Sequence, residues 1–251
     1  MKRLILSLAA LALCVCACSA PGPRKYGVKV VREYPHDTRA YTQGLFFDNG
    51  TLYESTGQTG QSSFRIVDLQ TGKVLRKLGF AHKYFGEGSV MFQGKLYMLT
   101  WTNHVAFVYD AATLEYEKTY SYPREGWGLT TDGKSLIASD GSANLFFLDG
   151  EFHLQRTLKV TLNGRPIRYL NELEWIDGRI WANVYTTDMI VIINPKTGVV
   201  EATVDCSGLL PNALRGPETD VLNGIAVLDG RIFLTGKNWP RMYEVELKET
   251  K

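Results

Sequence analysis

Histidine, cysteine and charge runs are scarce in this chain, and each shortage removes a class of function. Four histidines occur in 251 residues, at His36, His82, His104 and His153. They are scattered, with none of the close spacings that hold a zinc ion. Three of the four cysteines, Cys14, Cys16 and Cys18, crowd into the first eighteen residues. Cys206 is then alone in the body of the chain, with no intrachain disulfide partner and no histidine close in sequence to activate it. It reads as a buried apolar residue. The formal net charge is +2, and Lys2 and Arg3 supply two positive charges at the extreme N-terminus. No basic patch suits nucleic acid, and no acidic run makes a tail. There is no P-loop, no dinucleotide glycine fingerprint and no Gly-x-Ser-x-Gly elbow.

What is present begins with a leader. Lys2-Arg3 make a charged start, and Leu4 to Ala17 are apolar or cysteine. The stretch is short for a bilayer span and reads as a signal peptide over residues 1–17. Its end, Val15-Cys16-Ala17-Cys18-Ser19, resembles a bacterial lipobox. That resemblance implies cleavage before Cys18 and a lipid on its thiol. Ser19 is not the aspartate that retains lipoproteins in the inner membrane, so the expectation is an outer-membrane anchor facing the periplasm. Secretion after cleavage at Ala20 is the alternative if the lipobox is not used. Residues 18–26 are read as a tether and 27–251 as one domain, large enough for a real core.

From Tyr41 onward the chain repeats. An apolar element with glycine or asparagine recurs at Tyr41–Phe47, Phe85–Phe92, Gly126–Thr130, Leu170–Ile176 and Leu222–Leu228. A turn follows each, at Gly50, Gly94, Gly133, Gly178 and Gly230, and then a second apolar strand. Third strands end in Asp68, Asp110, Asp149, Asn194 and Glu246, and the first four repeats carry a fourth strand. Four short strands in about 40–45 residues is the period of a propeller blade. A sandwich or barrel of short strands is the competing architecture. The fivefold recurrence predicts an all-β, five-bladed β-propeller with four antiparallel strands per blade. The strand Val28–Tyr34 is expected to complete the last blade and close the ring, removing two open edges.

In such a ring the first strands line a central channel, and residues distant in sequence meet at its mouth. Glu87 stands out there. It sits between Gly86 and Gly88, directly after Tyr84-Phe85. Aromatic neighbours exclude water and raise a carboxylate's pKa. A glutamate held that way can shuttle a proton near neutral pH. Gln43, Trp127, Asn171 and Asn223 occupy comparable places, while Trp101, Tyr185 and Lys237 each end a second strand. Plain structural readings stand beside these: blade packing for Trp101 and Trp127, a solvated turn for Lys237, backbone satisfaction for Gln43, and inter-blade hydrogen bonding for Asn171, Glu172 and Glu174.

An ordered set of motifs, one group per blade, carries a more specific likeness. They are Tyr41-Thr42-Gln43-Gly44-Leu45, Phe85-Gly86-Glu87-Gly88, Leu99-Thr100-Trp101, Glu125-Gly126-Trp127-Gly128-Leu129, Leu170-Asn171-Glu172-Leu173-Glu174, Trp181-Ala182-Asn183-Val184-Tyr185, Leu222-Asn223-Gly224-Ile225-Ala226 and Thr235-Gly236-Lys237. From about Tyr34 to Leu247 the chain resembles the plant and bacterial glutaminyl-peptide cyclotransferases, which are five-bladed propellers. The resemblance implies conversion of N-terminal glutamine to pyroglutamate with release of ammonia. It implies Glu87 as the catalytic acid/base, with Lys237 and Asn171 beside it. Gln43, Tyr41, Phe85, Trp101 and Trp127 fall at substrate-binding positions. Tyr185 stands where the family usually has a third tryptophan, which keeps an aromatic wall and adds a hydroxyl.

The chemistry suits these residue types. The α-amine attacks the side-chain amide carbon of its own residue, so no external nucleophile is needed and proximity supplies much of the rate. One carboxylate can move a proton from the amine to the leaving nitrogen. No cofactor is required, although a structural cation in the channel would be compatible. The expected partners are peptides or proteins with N-terminal glutamine, with membrane contact only through the lipid; the protein itself is expected to be a monomer. Two other functions compete: a non-catalytic periplasmic propeller lipoprotein that binds peptides or scaffolds a complex, and a metal-dependent lactonase-like propeller drawing on Glu174, Asn171 and Asn223.

Overall fold

The protein is described by a computed structural model over residues 22–250. The leader, Cys18 and the first part of the tether lie outside the described residues. Glycine turns join the two inner strands of each blade. Asn49-Gly50, Gln93-Gly94, Asp177-Gly178 and Asp229-Gly230 all have positive φ at both positions, between 47° and 77°. Those are the two-residue turns whose twist matches paired strands. At the far end of the third strands, Asp68, Asp110, Asp149 and Asn194 accept backbone N–H groups two to four residues onward, which nucleates the next turn.

The strands form five groups of four. The first blade is Thr42–Asp48, Thr51–Thr56, Ser63–Val67 and Val74–Gly79. The second is Gly86–Phe92, Lys95–Thr100, Val105–Asp110 and Tyr116–Ser121, and the third Leu129–Thr131, Leu136–Ser139, Asn144–Leu148 and Leu154–Lys159. The fourth is Leu170–Ile176, Arg179–Val184, Met189–Ile193 and Val200–Asp205. Leu222–Leu228, Arg231–Gly236 and Arg241–Glu249 make the fifth, and Arg24–Pro35 pairs antiparallel with Arg241–Glu249 as its outer strand. The five first strands touch one another in a cycle, each meeting the next and the fifth returning to the first.

The N-terminal strand is longer than the sequence suggests. It starts at Arg24, inside the stretch read as tether, because Arg24 to Gly27 pair in parallel with Ala202 to Asp205 of the fourth blade. Two additions outside the repeat also escape a periodic reading. One is a small hairpin of Thr161–Leu162 and Arg165–Pro166. The other is the stretch from 206 to 221, with a short 3-10 turn at Asn212–Leu214, which accounts for the widest repeat spacing.

The apolar core is split among the seams between blades. Phe46 and Phe64 meet Leu96, Met98 and Phe107 between the first and second blades. Leu45 and Leu52 meet Ala226, Phe233 and Met242 where the fifth blade returns to the first. Each seam buries large side chains worth about 1.5–3 kcal/mol apiece. Cys206 is free and buried in the seam between the fourth and fifth blades.

Candidate active site

The mouth of the channel is built from a backbone irregularity that recurs. In the first, second, fourth and fifth blades the inner hairpin loses register at one place: between Thr42 and Gly44, Gly86 and Ser89, Leu170 and Leu173, and Leu222 and Ile225. Such bulges re-aim a side chain. The side chains at those places are Gln43, Glu87, Asn171 and Asn223. In the third blade the inner strand starts later, at Leu129, and Trp127 occupies the equivalent place.

Glycine beside the bulge lets neighbouring inner strands close together. A Cβ on Gly88 would lie 2.5 Å from Leu129 N, and one on Gly128 would lie 2.0 Å from Asn171 O. In the fourth blade the glycine is replaced by Glu172. Its Oε1 accepts Leu45 N at 3.2 Å and its Oε2 accepts Ile225 N at 2.9 Å. One side chain thus ties the fourth blade to the first and the fifth. Glu172 and Glu174 are therefore inter-blade hydrogen-bonding groups, and Trp181 and Trp239 are core.

A cavity of about 160 Å³ opens at this end of the channel. All nine residues assigned to catalysis and binding from the sequence line it: Glu87, Lys237 and Asn171 with Gln43, then Tyr41, Phe85, Trp101, Trp127 and Tyr185. Glu87, Lys237, Asn171 and Gln43 are buried. Trp101 is 41% exposed and forms the outermost part of the wall, at its lip.

The polar floor is already oriented. Asn223 Nδ2 donates to Thr42 O at 2.9 Å and to Gln43 Oε1 at 3.2 Å. Gln43 Nε2 therefore faces Glu87 and donates to its Oε1 at 3.1 Å. Asn171 Oδ1 is buried with no hydrogen-bond partner. A native buried acceptor left open at a cavity wall calls for a donor from a ligand. Burial drives the Glu87 carboxyl well above the ordinary carboxylate range; Lys237 pulls against that and Glu125 adds to it. Burial likewise lowers the Lys237 ammonium, with Glu87 and Asp220 opposing. The carboxyl and the amine are thus moved toward each other and toward neutrality.

The wall is aromatic. Phe85 lies in the space above Gly57, where a Cβ would approach its ring to 2.3 Å. It meets Trp101 at 5.5 Å and Tyr41 at 6.1 Å between ring centroids. Lys237 Nζ lies 4.8 Å from the centroids of both Tyr41 and Tyr185. Tyr185 meets Trp127 edge-on at 5.5 Å. Tyr41 donates its hydroxyl to Asp220 at 2.9 Å, and burial followed by that bond raises its pKa.

Sequence reasoning placed Asn223 at the channel mouth but gave it no part in the cyclisation, and it assigned no role to Asp220 or Glu125. The repeat register offered a signal for two of them. Asn223 shares the place of Gln43 and Glu87. Glu125 stands two residues before Trp127, as Tyr41 stands before Gln43 and Phe85 before Glu87. Asp220 had no such signal, since it belongs to the inserted stretch. Among the described residues no group of three or more His, Cys, Asp and Glu side chains is placed to hold a metal ion.

Comparison with known proteins gives consistent results. A family model described as glutamine cyclotransferase matches residues 5–247. A glutaminyl-peptide cyclotransferase of Arabidopsis thaliana is 44% identical over 236 residues, covering 88% of this chain and 72% of the relative. The crystal structure of Myxococcus xanthus glutaminyl cyclase superposes with a TM-score of 0.84 at 38% identity, covering 91% of this chain and 100% of that one. The WD40 β-propeller domain of Doa1 shares the fold alone, at a TM-score of 0.50 and 12% identity over 80% of this chain and 62% of its own.

Proposed function

This chain belongs to the glutamine cyclotransferase family, and we propose that it cyclises N-terminal glutamine of peptides or proteins to pyroglutamate with Glu87 as its proton shuttle. The observation that carries this reading is the convergence of Glu87, Lys237, Asn171 and Gln43 on one small aromatic-walled cavity. The cavity holds a single side chain folded back on its own amine, the geometry from which intramolecular attack gains most.

The substrate's α-amine attacks in its neutral form, which an ordinary pKa of about 7.7–8.0 makes available near neutral pH, and on attack its nitrogen sheds one proton to ionised Glu87. A carboxyl raised by burial is matched to that proton, which favours transfer near neutral pH. The amine nitrogen bonds to the side-chain amide carbon, and the amide oxygen gains negative charge. Lys237, held between Tyr41 and Tyr185, donates to that oxygen in a site the aromatic wall keeps dry. Asn171 Oδ1, the open acceptor, takes an N–H of the substrate amide or amine and holds the folded conformer. Glu87 then returns its proton to the leaving nitrogen, the carbon–nitrogen bond breaks, and ammonia departs. Gln43 is occupied by Asn223 and Glu87, so its part is to orient the carboxyl.

Ammonia release from a Gln-initiated dipeptide tests the assignment, with the wild type beside Glu87→Gln and a chelator-treated sample. The expected result is chelator-resistant release that the variant loses. Absence of release by folded wild type on several peptides would sink the activity. Loss on chelation alone would replace the metal-independent scheme with a metal-assisted one.

From the lipobox-like Val15-Cys16-Ala17-Cys18-Ser19 we further propose that the protein works at the cell envelope. Residues 1–17 act as the leader, Cys18 carries the lipid, and the catalytic domain faces the periplasm from the outer membrane. Labelled palmitate is expected in the wild type and absent from Cys18→Ser; equal labelling of both would remove the anchor.

A further inference from the structure

The wall of the cavity runs as a chain of contacts around the mouth. Trp101 meets Phe85, Phe85 meets Tyr41, Tyr41 faces Lys237, Lys237 faces Tyr185, and Tyr185 meets Trp127. The chain passes from the second blade through the first, fifth and fourth to the third. Between Trp127 and Trp101 no ring or cation among the described residues completes it. Glu125 stands there instead. Its Oε2 accepts Trp101 Nε1 at 2.8 Å and Trp127 Nε1 at 3.0 Å.

We propose that Glu125 is a positioning residue, which closes this wall by holding both indoles on one carboxylate oxygen across the seam between the second and third blades. The inference rests on the cyclotransferase reading only for its kinetic consequences. Three features support it. A hydrogen bond to an ionised acceptor is stronger and more directional than a neutral one. Both donors are pocket residues, and Trp101 is exposed enough to swing away if released. The backbone of Glu125 is itself pinned, because Gly126 N donates to Thr100 O at 3.1 Å and to Trp101 O at 3.2 Å. A Cβ on Gly126 would lie 2.6 Å from Leu99 Cβ, so the segment has no room to shift. Glu125 therefore acts from a fixed point on two indoles whose N–H groups find their acceptor, among the described residues, in its carboxylate.

The test compares Glu125→Ala and Glu125→Gln, each in the wild-type background and in a Trp101→Phe/Trp127→Phe background. The readouts are kcat and KM on a Gln-initiated peptide, and the near-ultraviolet circular dichroism of the free protein. Glu125→Ala is expected to lower kcat/KM by about tenfold or more, since small displacements of positioning groups are costly. Glu125→Gln keeps a neutral acceptor and is expected to restore part of that loss and most of the indole signal. Phenyl rings donate nothing to Glu125, so in the Trp→Phe background Glu125→Ala is expected to add less than about twofold. Wild-type kinetics and an unchanged indole signal in Glu125→Ala would overturn the proposal. So would an equal loss in both backgrounds, which would mean that Glu125 acts by another route. If Glu125→Ala does not fold, Glu125→Gln in the two backgrounds carries the same comparison. An inactive wild type would count against the cyclotransferase reading, while the dichroism of the variants would still decide the clamp.

Discussion

At the scale of single residues, the site turns on one buried carboxyl whose surroundings decide when it can accept a proton. Burial raises Glu87 above the ordinary carboxylate value near 4.5. Glu87 must be ionised to take the proton of the substrate amine, so activity falls as pH drops through its raised pKa. The acid limb of kcat/KM is therefore expected well above pH 4.5. Lys237 opposes the rise, so removing its charge leaves Glu87 harder to ionise. Lys237→Met is expected to move the acid limb to higher pH, and to lower kcat on the order of 10²–10³-fold through loss of the oxyanion donor. A pH–rate profile from pH 4 to 9 checks both effects. A limb that stays in place or moves down would separate Lys237 from Glu87. Glu87→Gln keeps the size and the bond from Gln43 but cannot ionise. It is expected to lose at least about 10²-fold in kcat while keeping the fold, as judged by its circular dichroism.

At the scale of elements, the inner hairpins do two jobs with one device. The bulge turns Gln43, Glu87, Asn171 and Asn223 toward the mouth, and the adjacent glycine admits the next blade. Gly128 is the tightest case, with Asn171 O 2.0 Å from where a Cβ would sit. Gly128→Ala pushes the third blade off the fourth at backbone level, where no side chain can give way. Overpacking of this kind costs about 1–3 kcal/mol or more, and Asn171 is displaced with it. Denaturant unfolding and kcat together are expected to fall; full stability would show that the seam can open. These elements were legible in the chain because the strand-turn-strand pattern recurs five times, which placed Glu87, Gln43, Trp127, Asn171, Trp101, Tyr185 and Lys237 at the mouth before any geometry, while Tyr41 and Phe85 came from the family resemblance. Contacts made across the repeat were not legible. The start of the first strand at Arg24 depends on a parallel partner some 180 residues away. The bond from Tyr41 to Asp220 crosses from a repeat to an insertion. The orientation of Gln43 is set by Asn223, and no spacing encodes which end of an amide faces a carboxyl.

At the scale of the whole molecule, closing a ring places carboxyls where water cannot reach them, and pH reports on that closure. Glu174 is raised by burial to about 8, from 4.5. Glu172 is raised well above 4.5 by burial and by Glu174 beside it. In the folded ring both hold protons that the unfolded chain releases above about pH 4.5. Their stabilisation is complete below that pH and drains away as pH rises through the folded values. His36 adds in the same direction. Both its ring nitrogens meet acceptors, Trp239 O at 2.7 Å and Glu54 Oε1 at 2.9 Å, which makes it an imidazolium linking the fifth blade to the first. Its pKa is raised; burial opposes that, and Glu54 more than offsets it. That contribution is present below pH 6.5 and is lost as pH climbs through the folded value. Glu54 and Asp37 act oppositely, because both are lowered and lose their stabilisation as pH falls toward and below their ordinary values. The melting temperature is therefore expected to peak near pH 5–6 and to decline toward pH 9. Glu174→Gln removes one titrating group while keeping its shape, so it is expected to flatten the alkaline arm and leave the acid arm alone. Calorimetric scans at pH 5, 7 and 9 on both proteins decide it. An alkaline arm equally steep in the variant would mean that Glu174 is already ionised in the folded channel, and that the ring tolerates a buried charge there.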